Sequence, residues 1–137
     1  MAKESGLGLT VTVDDSSGNG QAISNDITDL QFAMPSGVQD ITGVNKSAHE
    51  RLHLLADFTV SLHGVFNDAA SLSFQIFKAY RTLSGTEVGR TTAIAHSGQT
   101  LTQEVLYSDF GFNRATDGSL MWTAPGSMSN GTFAAWA

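Results

Sequence analysis

The stretch Phe58-Thr59-Val60-Ser61-Leu62-His63 decides the fold, because apolar residues alternate with polar ones along its whole length. An extended chain places every second side chain on the same face, so this run predicts a strand with one buried face. Similar patterns recur in both halves of the chain. Further strands are predicted at residues 9–13, 27–34, 90–95, 100–107 continuing toward 113, and 119–123, with a short extended stretch at 38–42.

Helical periodicity is much rarer in this sequence than strand alternation. One helix is predicted between residues 69 and 83, where apolar side chains recur at steps of three and four. A shorter helical turn is predicted after Asn45, in a region of mixed signals. Asp117-Gly118 predicts a hairpin turn between two of the strands. Together these elements predict a mainly β (α+β) fold, an antiparallel β-sandwich or small barrel with one flanking α-helix.

Length and composition exclude several classes of protein. The 137 residues fit a single domain, 1–137, and the absence of cysteine excludes a disulfide framework and a cysteine-ligated metal site. No apolar run approaches the roughly 18 residues of a membrane-spanning helix, and the amino terminus shows no apolar export signal. Thirteen acidic against seven basic residues give a net charge of −6, which disfavours binding to a phosphate backbone.

The string His49-Glu50-Arg51-Leu52-His53 matches the zinc-binding pattern H-E-x-x-H. That pattern needs a long helix, which places the two imidazoles one turn apart, and a third protein ligand. Only Asp57, Glu87 and His96 are available as third ligands, and the helical signal is short. We therefore favour a short exposed turn with Leu52 and Leu55 facing inward. A zinc hydrolase remains a distant alternative, and we expect no catalytic, cofactor-binding or metal-binding residues.

Two other histidines and the last tryptophan lie outside any recognisable site. His63 and His96 have no further metal ligands beside them in the sequence, so we expect hydrogen-bonded surface residues. The late aromatic residues stand at strand spacing, which is typical of a core. Trp136 is next to the end of the chain and packs either on its own core or on a neighbouring subunit. Both alternatives stay open.

The order of several segments resembles phage major tail proteins, the tail tube proteins of long-tailed phages. The segments are residues 38–43 (VQDITG), 47–52 (SAHERL), 56–67 (ADFTVSLHGVFN) and 117–126 (DGSLMWTAPG). The resemblance implies a β-sandwich with one flanking helix that assembles into rings, most often hexameric, which stack into a hollow tube for DNA ejection. It implies a structural role without catalytic residues. A capsid decoration protein or a head-to-tail connector is the alternative.

The resemblance also implies partners, a location and contact residues. The partners are further copies of the chain, a tape-measure protein and a tail-terminator or baseplate protein; DNA passes through the lumen without specific binding, and no membrane is involved. The location is the virion tail, after assembly in the host cytoplasm. Candidate inter-subunit contacts are Lys46, His49, Glu50, Arg51, His53 and Trp136. Because an acidic wall repels phosphate, candidate lumen-facing residues are Asp14, Asp15, Asp26, Asp29 and Glu104.

Overall fold

The computed structural model describes residues 3–81, 89–132 and 135–137. The described residues form one short α-helix, α1 (Ser73–Phe77), a 3-10 turn (Ser24–Asp26) and ten strands. The strands are β1 (Thr10–Asp14), β2 (Gly20–Ala22), β3 (Ile27–Ala33), β4 (Ser36–Asp40), β5 (Arg51–Ala56), β6 (Thr59–Val65), β7 (Arg90–His96), β8 (Gln99–Tyr107), β9 (Gly111–Arg114) and β10 (Leu120–Met128). The prediction of a mainly β fold is therefore confirmed.

Eight of the strands form one antiparallel sheet in the order β2-β1-β7-β8-β10-β6-β3, with β9 paired to β10. Strands from both ends of this order contribute to a single apolar core, for example Val11 and Val13 of β1 with Val60 and Leu62 of β6. The sheet therefore curls around its apolar face. None of the described residues belongs to a helix that is long and apolar enough to cross a membrane.

The buried side chain of Arg90 connects α1 and the turn after it to the sheet through hydrogen bonds. The guanidinium of Arg90 on β7 donates to the backbone carbonyls of Ile76 and Ala79. Burial lowers the pKa of Arg90 from its ordinary value, whereas the negative charge of Asp15 opposes that shift. Since buried cations are stable only with compensating partners, this contact fixes the position of the helix.

The end of β6 is packed against the indole of Trp122. The indole N–H donates to the Val65 carbonyl at 2.8 Å, and the ring lies over the backbone of Gly64. A Cβ atom at Gly64 would approach Trp122 Cζ2 to 2.6 Å and the Asp26 carbonyl oxygen to 2.2 Å. Only glycine fits at this position, because both distances are well below van der Waals contact.

Helix α1 is shorter than the predicted helix over residues 69–83. Ser71 has a φ of 63°, so the helix cannot begin before it, and Tyr80 donates its N–H to Phe77 in a tighter 3-10 bond. The Ile76 carbonyl, which would accept that N–H in an α-helix, accepts from Arg90 instead. Leu83, the last residue of the predicted apolar stripe, lies outside the described residues.

The carboxyl-terminal strands also differ from the prediction. The strand predicted from residue 100 toward 113 is divided, since β8 ends at Tyr107 and β9 pairs separately with β10. Strand β10 continues to Met128, beyond the predicted end at residue 123, and includes Pro125. This proline lies where β10 exchanges its partner β9 for β8, and its carbonyl accepts the Ser108 N–H at 3.0 Å. A strand tolerates proline at such an irregularity.

Candidate functional site

Strands β4 and β5 form a hairpin that projects from the sheet, and we call residues 36–56 the arm hairpin. Among the described strands, its two strands pair only with each other, with Val38 opposite His53 and Gln39 opposite Leu52. The arm continues the β3–β6 pair beyond a break at Pro35, whose carbonyl accepts the Asp57 N–H at 2.8 Å. It therefore extends from the end of the sheet where β6 begins.

The helical turn predicted after Asn45 is wrong, because residues 46–50 form a loop without helical structure and residues 51–56 are extended. Their backbone groups bond across to the preceding strand, and the pairing reaches the tip, where the Ile41 N–H donates to the Glu50 carbonyl at 2.9 Å. In a strand, side chains two residues apart share a face. Leu52, Leu54 and Ile41 consequently lie on one face of the arm. The prediction that Leu52 and Leu55 face inward is wrong, because both side chains are exposed in the described part of the chain.

The arm carries an unusual share of exposed apolar surface. Within the described part of the chain, six of the twelve exposed large hydrophobic residues belong to it, and each of the six is at least 46% exposed. They are Val38, Ile41, Val44, Leu52, Leu54 and Leu55. A two-stranded hairpin is only marginally stable alone in water, and clustered exposed apolar residues mark interaction surfaces. The arm is therefore the strongest candidate for a contact with another molecule.

Polar contacts hold the tip of the arm in shape. The Asp40 carboxylate accepts hydrogen bonds from the hydroxyl and the backbone N–H of Thr42 and lies 3.2 Å from His49 Nδ1. The Thr42 hydroxyl, followed by its N–H and by His49, lowers the pKa of Asp40 from its ordinary value. Lys46 and Glu50 form an ion pair at 3.4 Å. The arm thus presents a defined surface although it is solvent-exposed.

The H-E-x-x-H string does not form the helical zinc geometry. His49 lies in the tip loop beside Asp40, whereas the Nδ1 atom of His53, on β5, is 3.2 Å from Ser36 Oγ. Across residues 3–81, 89–132 and 135–137, no group of three or more histidine, aspartate or glutamate side chains is placed to hold a metal ion. Glu87, one of the predicted third ligands, lies outside these ranges.

The remaining histidines are engaged in polar contacts. The ring nitrogens of His63 lie 3.1 Å from Thr123 Oγ1 and 3.2 Å from Ser61 Oγ, which confirms the predicted hydrogen bonding. The residue was predicted at the surface, and the structure places it half-buried. His96 Nε2 lies 3.8 Å from a Glu4 carboxylate oxygen. The two hydrogen bonds orient the ring of His63 within its own chain.

Trp136 packs on its own chain, which is the first of the two alternatives. The last residues add a short β-bridge to β8, with backbone bonds of 2.8 and 2.9 Å between Thr100 and Ala137. The indole lies 6.0 Å from the ring of Phe32 on β3, measured between ring centroids. It remains 41% exposed, so its outer surface is still available to a neighbour.

The acidic residues selected for a lumen fall into two groups. Asp14 and Asp26 are buried, so their assignment as lumen-facing residues is wrong. Asp29 on β3 is exposed, and Asp15 is partly exposed at the β1–β2 turn, where the Asn19 N–H lowers its pKa. Glu104 is partly buried and accepts a hydrogen bond from the Thr91 hydroxyl. Asp15 and Asp29 are thus the best placed to carry charge at the surface.

The burial of Asp26 has a local cause. The 3-10 turn before β3 directs its carboxylate inward, where it accepts the Asn67 side-chain N–H at 2.9 Å and the Ser73 backbone N–H at 3.1 Å. Ser73 is the first residue of α1. The carboxylate therefore links the start of β3, the end of β6 and the helix, which is a structural role.

Sequence reasoning missed a cluster of phenylalanines at the opposite end of β6 from the arm. We call Phe66, Phe74, Phe110 and Phe112 the aromatic end. Ring centroids are 5.1 Å apart for Phe66 and Phe74 and 4.8 Å apart for Phe110 and Phe112. Phe66 and Phe112 are exposed. The cluster was missed because aromatic residues at strand spacing are usually core residues.

Comparisons with known proteins show which solved structures have a similar fold. No family model matches the chain, and no curated protein matches its sequence. In structure it is similar to a chain in the virion of a native gene transfer agent particle, with 11% identity, a TM-score of 0.73, and coverage of 98% of this chain and 99% of that chain. It is also similar to a chain in the tail of an empty gene transfer agent particle, solved with C6 symmetry, with 15% identity, a TM-score of 0.70 and 98% coverage of both chains. At these identities the similarity shows the fold, and the described chain shares its whole fold with components of gene transfer agent particles.

Proposed function

We propose that this chain is a tail tube protein, whose copies form rings that stack into the hollow tube of a phage-type tail. The observation that carries the proposal is the near-complete structural coverage of a chain from a gene transfer agent tail. That tail was solved with C6 symmetry, which supports six copies in each ring. The role is structural, and DNA passes through the tube during ejection.

The exposed arm supports assembly through contacts between copies. Complete burial of one large aliphatic side chain contributes about 1.5–3 kcal/mol. The exposed parts of the six arm residues together equal about four complete side chains, so covering them contributes roughly 6–12 kcal/mol. The loss of translational and rotational freedom on association costs about 4–15 kcal/mol. The favourable free energy of burial and the cost of association thus nearly cancel for one arm contact. Stable assembly therefore requires several contacts that form together, as in a ring.

The polar residues of the arm are proposed to orient its contact with a neighbouring copy. Lys46, His49, Glu50, Arg51 and His53 are all exposed, so they are accessible to a partner. Ion pairs at the rim of an interface affect orientation and association rate more than affinity. The exposed side of the Trp136 indole is a further candidate for such a contact.

An acidic lumen is the second element of the proposal. Asp15 and Asp29, with Glu104 partly buried, are proposed to line the tube and to keep the polyanion from adhering. Physiological salt confines this repulsion to about 8 Å, so it acts as a lining. We expect Asp29→Lys and Asp15→Lys to slow DNA release from assembled particles, with Asp29→Asn giving an intermediate effect. Unchanged release kinetics in tubes of normal length would contradict an acidic lining at these positions.

The remaining partners follow from a tube with two ends. A tape-measure protein is proposed to occupy the lumen before DNA does, and a tail-terminator or baseplate protein to close each end. The protein is then located in the virion tail after assembly in the host cytoplasm. No specific DNA sequence and no membrane is proposed as a partner.

Negative-stain electron microscopy of the concentrated, purified protein tests the proposal. A tube protein gives rings or long hollow rods, whereas a capsid decoration protein gives small oligomers that bind shells, and a connector gives isolated rings. A compact monomer at high concentration, alone and with the tail initiator, would refute the tube assignment. Stoichiometric zinc that is lost on replacing both His49 and His53 would instead support a zinc hydrolase.

A further inference from the structure

We infer that Asn19 is a site of spontaneous deamidation, at which the folded chain converts an asparagine side chain into a carboxylate. The inference concerns the turn between β1 and β2 and does not depend on the proposed function. It identifies a modification site whose only co-reactant is water.

Two asparagines in the sequence are followed directly by glycine, Asn19 before Gly20 and Asn130 before Gly131. Deamidation begins when the backbone nitrogen of the following residue attacks the side-chain carbonyl carbon of the asparagine. Glycine permits that approach, because it has no Cβ atom and a wide range of backbone angles. The sequence therefore offers two candidates, and the structure distinguishes between them.

The backbone nitrogen of Gly20 is not engaged in the pairing of β1 with β2. At the end of this antiparallel pair, the Asp15 N–H donates to the Asn19 carbonyl at 2.9 Å. Hydrogen-bonded and non-bonded residue pairs alternate along such a ladder, so Gly20 and its partner Asp14 form a non-bonded pair. The Gly20 N–H consequently points away from β1. Strand β2 is the last strand of the described sheet, so this N–H faces no further described strand.

The side chain of Asn19 is free to move. It is exposed, and its amide group makes no hydrogen bond with any other residue that the structure describes. The residue is held through its backbone, whose N–H donates to Asp15 Oδ1 at 3.0 Å. The amide group can therefore rotate toward the Gly20 nitrogen, and water reaches it from solvent.

The side chain of Asn130 is held in place. Its Oδ1 atom accepts the side-chain N–H of Gln103 at 3.1 Å and the backbone N–H of Thr132 at 3.1 Å. Gln103 is itself buried on β8. Two donors thus fix the orientation of the Asn130 amide, and rotating its carbonyl carbon toward the Gly131 nitrogen requires both hydrogen bonds to break. The fold therefore favours deamidation at Asn19 over deamidation at Asn130.

The reaction needs no reagent besides water. The Gly20 nitrogen bonds to Cγ of Asn19, the bond from Cγ to Nδ2 breaks, and the departing nitrogen takes up the proton of the Gly20 N–H and leaves as ammonia. The product is a five-membered succinimide. Addition of water at Cγ then restores the normal backbone with an aspartate, whereas addition at the backbone carbonyl carbon gives isoaspartate, whose main chain is one methylene longer.

The modification changes both charge and geometry at the β1–β2 turn. Either product adds one negative charge to the net charge of −6 and places a second carboxylate beside that of Asp15. The isoaspartate form also displaces the Asn19 carbonyl, which accepts the Asp15 N–H in the unmodified chain. We therefore expect the turn to be less well ordered in the isoaspartate form than in the aspartate form.

Peptide mass spectrometry of the purified chain tests the inference. The protein is incubated at mildly alkaline pH in water enriched in the heavy oxygen isotope, and the conversion of each amide to an acid with one heavy oxygen is followed over time. In the folded chain we expect Asn19 to convert at least tenfold faster than Asn130. In concentrated urea the two rates should become similar, because both asparagines are then followed by a glycine in an unfolded chain.

Two variants verify the chemistry at the site. Asn19→Gln is expected to remove the acidic form that accumulates in ion-exchange chromatography of the unaltered protein. Gly20→Ala should slow conversion of Asn19 at least tenfold; its Cβ would lie 3.3 Å from Thr12 Cγ2, a contact that a small shift relieves. Circular dichroism of each variant verifies the fold.

The outcomes decide the inference independently of the tube assignment. Equal rates at the two asparagines of the folded chain, or faster conversion at Asn130, overturn it. Conversion of Asn19 only in urea overturns it as well, since the folded turn would then protect the residue. Rings or rods in electron microscopy test the proposed function separately and are unaffected by these rates.

Discussion

Replacing two leucines of the arm hairpin by serine is expected to weaken assembly strongly while leaving the folded chain intact. Leu52 and Leu54 share one face of the arm and are 51% and 50% exposed. A substitution at such exposed positions changes the free energy of unfolding by no more than about 0.5 kcal/mol. The same side chains are proposed to be covered in the assembly, so the variant separates folding from association.

The expected magnitude follows from the exposed fraction of the two side chains. Complete burial of a leucine contributes about 1.5–3 kcal/mol, so covering the remaining half contributes about 1 kcal/mol for each. The double variant therefore loses roughly 2 kcal/mol at every arm contact, which is about a 30-fold decrease in the association constant of that contact. In a closed ring the loss recurs at each contact.

Sedimentation at increasing protein concentration measures this effect. We expect the threshold for rings or rods to rise at least 30-fold for Leu52→Ser with Leu54→Ser, with an unchanged midpoint of urea unfolding. Leu106→Ser is the matched control, since Leu106 lies on β8 and is 46% exposed. An unchanged threshold, or an equal rise in the control, would refute a specific role for the arm. A lower unfolding midpoint in the double variant would show that the arm stabilises the single chain.

Three further predictions concern the fold. Gly64→Ala should lower the free energy of unfolding by about 3 kcal/mol in urea titrations, because its Cβ would overlap a ring and a carbonyl, whereas Gly6→Ala, with nothing within 4 Å, should be neutral. Asp26→Ala should cost about 2–3 kcal/mol, since it leaves two N–H donors without their acceptor; a loss below 1 kcal/mol would contradict this. Carbon NMR titration should place the pKa of Asp40 below 3.8 and show that Thr42→Val raises it. Because the pKa of Asp40 is lower in the folded chain than in the unfolded chain, its ionised carboxylate stabilises the tip at pH values above the unfolded pKa. That contribution is lost as the pH falls through the folded pKa.

The strands of the sheet could largely be predicted from the sequence, because the alternation of buried and exposed side chains is visible within each strand by itself. In residues 58–63 the alternation places Val60 and Leu62 in the core, as the burial of both confirms. The extent of α1 could not be predicted in the same way. The carbonyl of Ile76 accepts a hydrogen bond from Arg90, which lies fourteen positions later in the sequence. The local periodicity of residues 69–83 therefore does not show where the helix ends.

The acidic residues show the same limit. Asp15 and Asp26 are equally polar in the sequence, yet one stays at the surface and the other is buried against the start of α1. A buried carboxylate is predictable only when its donors are known, and the donors of Asp26 come from segments more than forty residues away. Composition predicts an acidic protein, but only the fold distinguishes a structural carboxylate from a surface charge.

The arm hairpin shows why the prediction that Leu52 and Leu55 face inward was wrong for the single chain. Leu52 and Leu55 were expected to face inward because their apolar side chains need a partner surface, and that requirement stands although a helix does not form. An apolar pattern reflects burial in the functional state, whichever chain supplies the covering surface. When the chain's own core is already complete, as it is around Trp122, an apolar segment outside it indicates a surface completed by another molecule. Since a two-stranded hairpin is only marginally stable alone, we propose that the arm hairpin packs on a neighbouring copy.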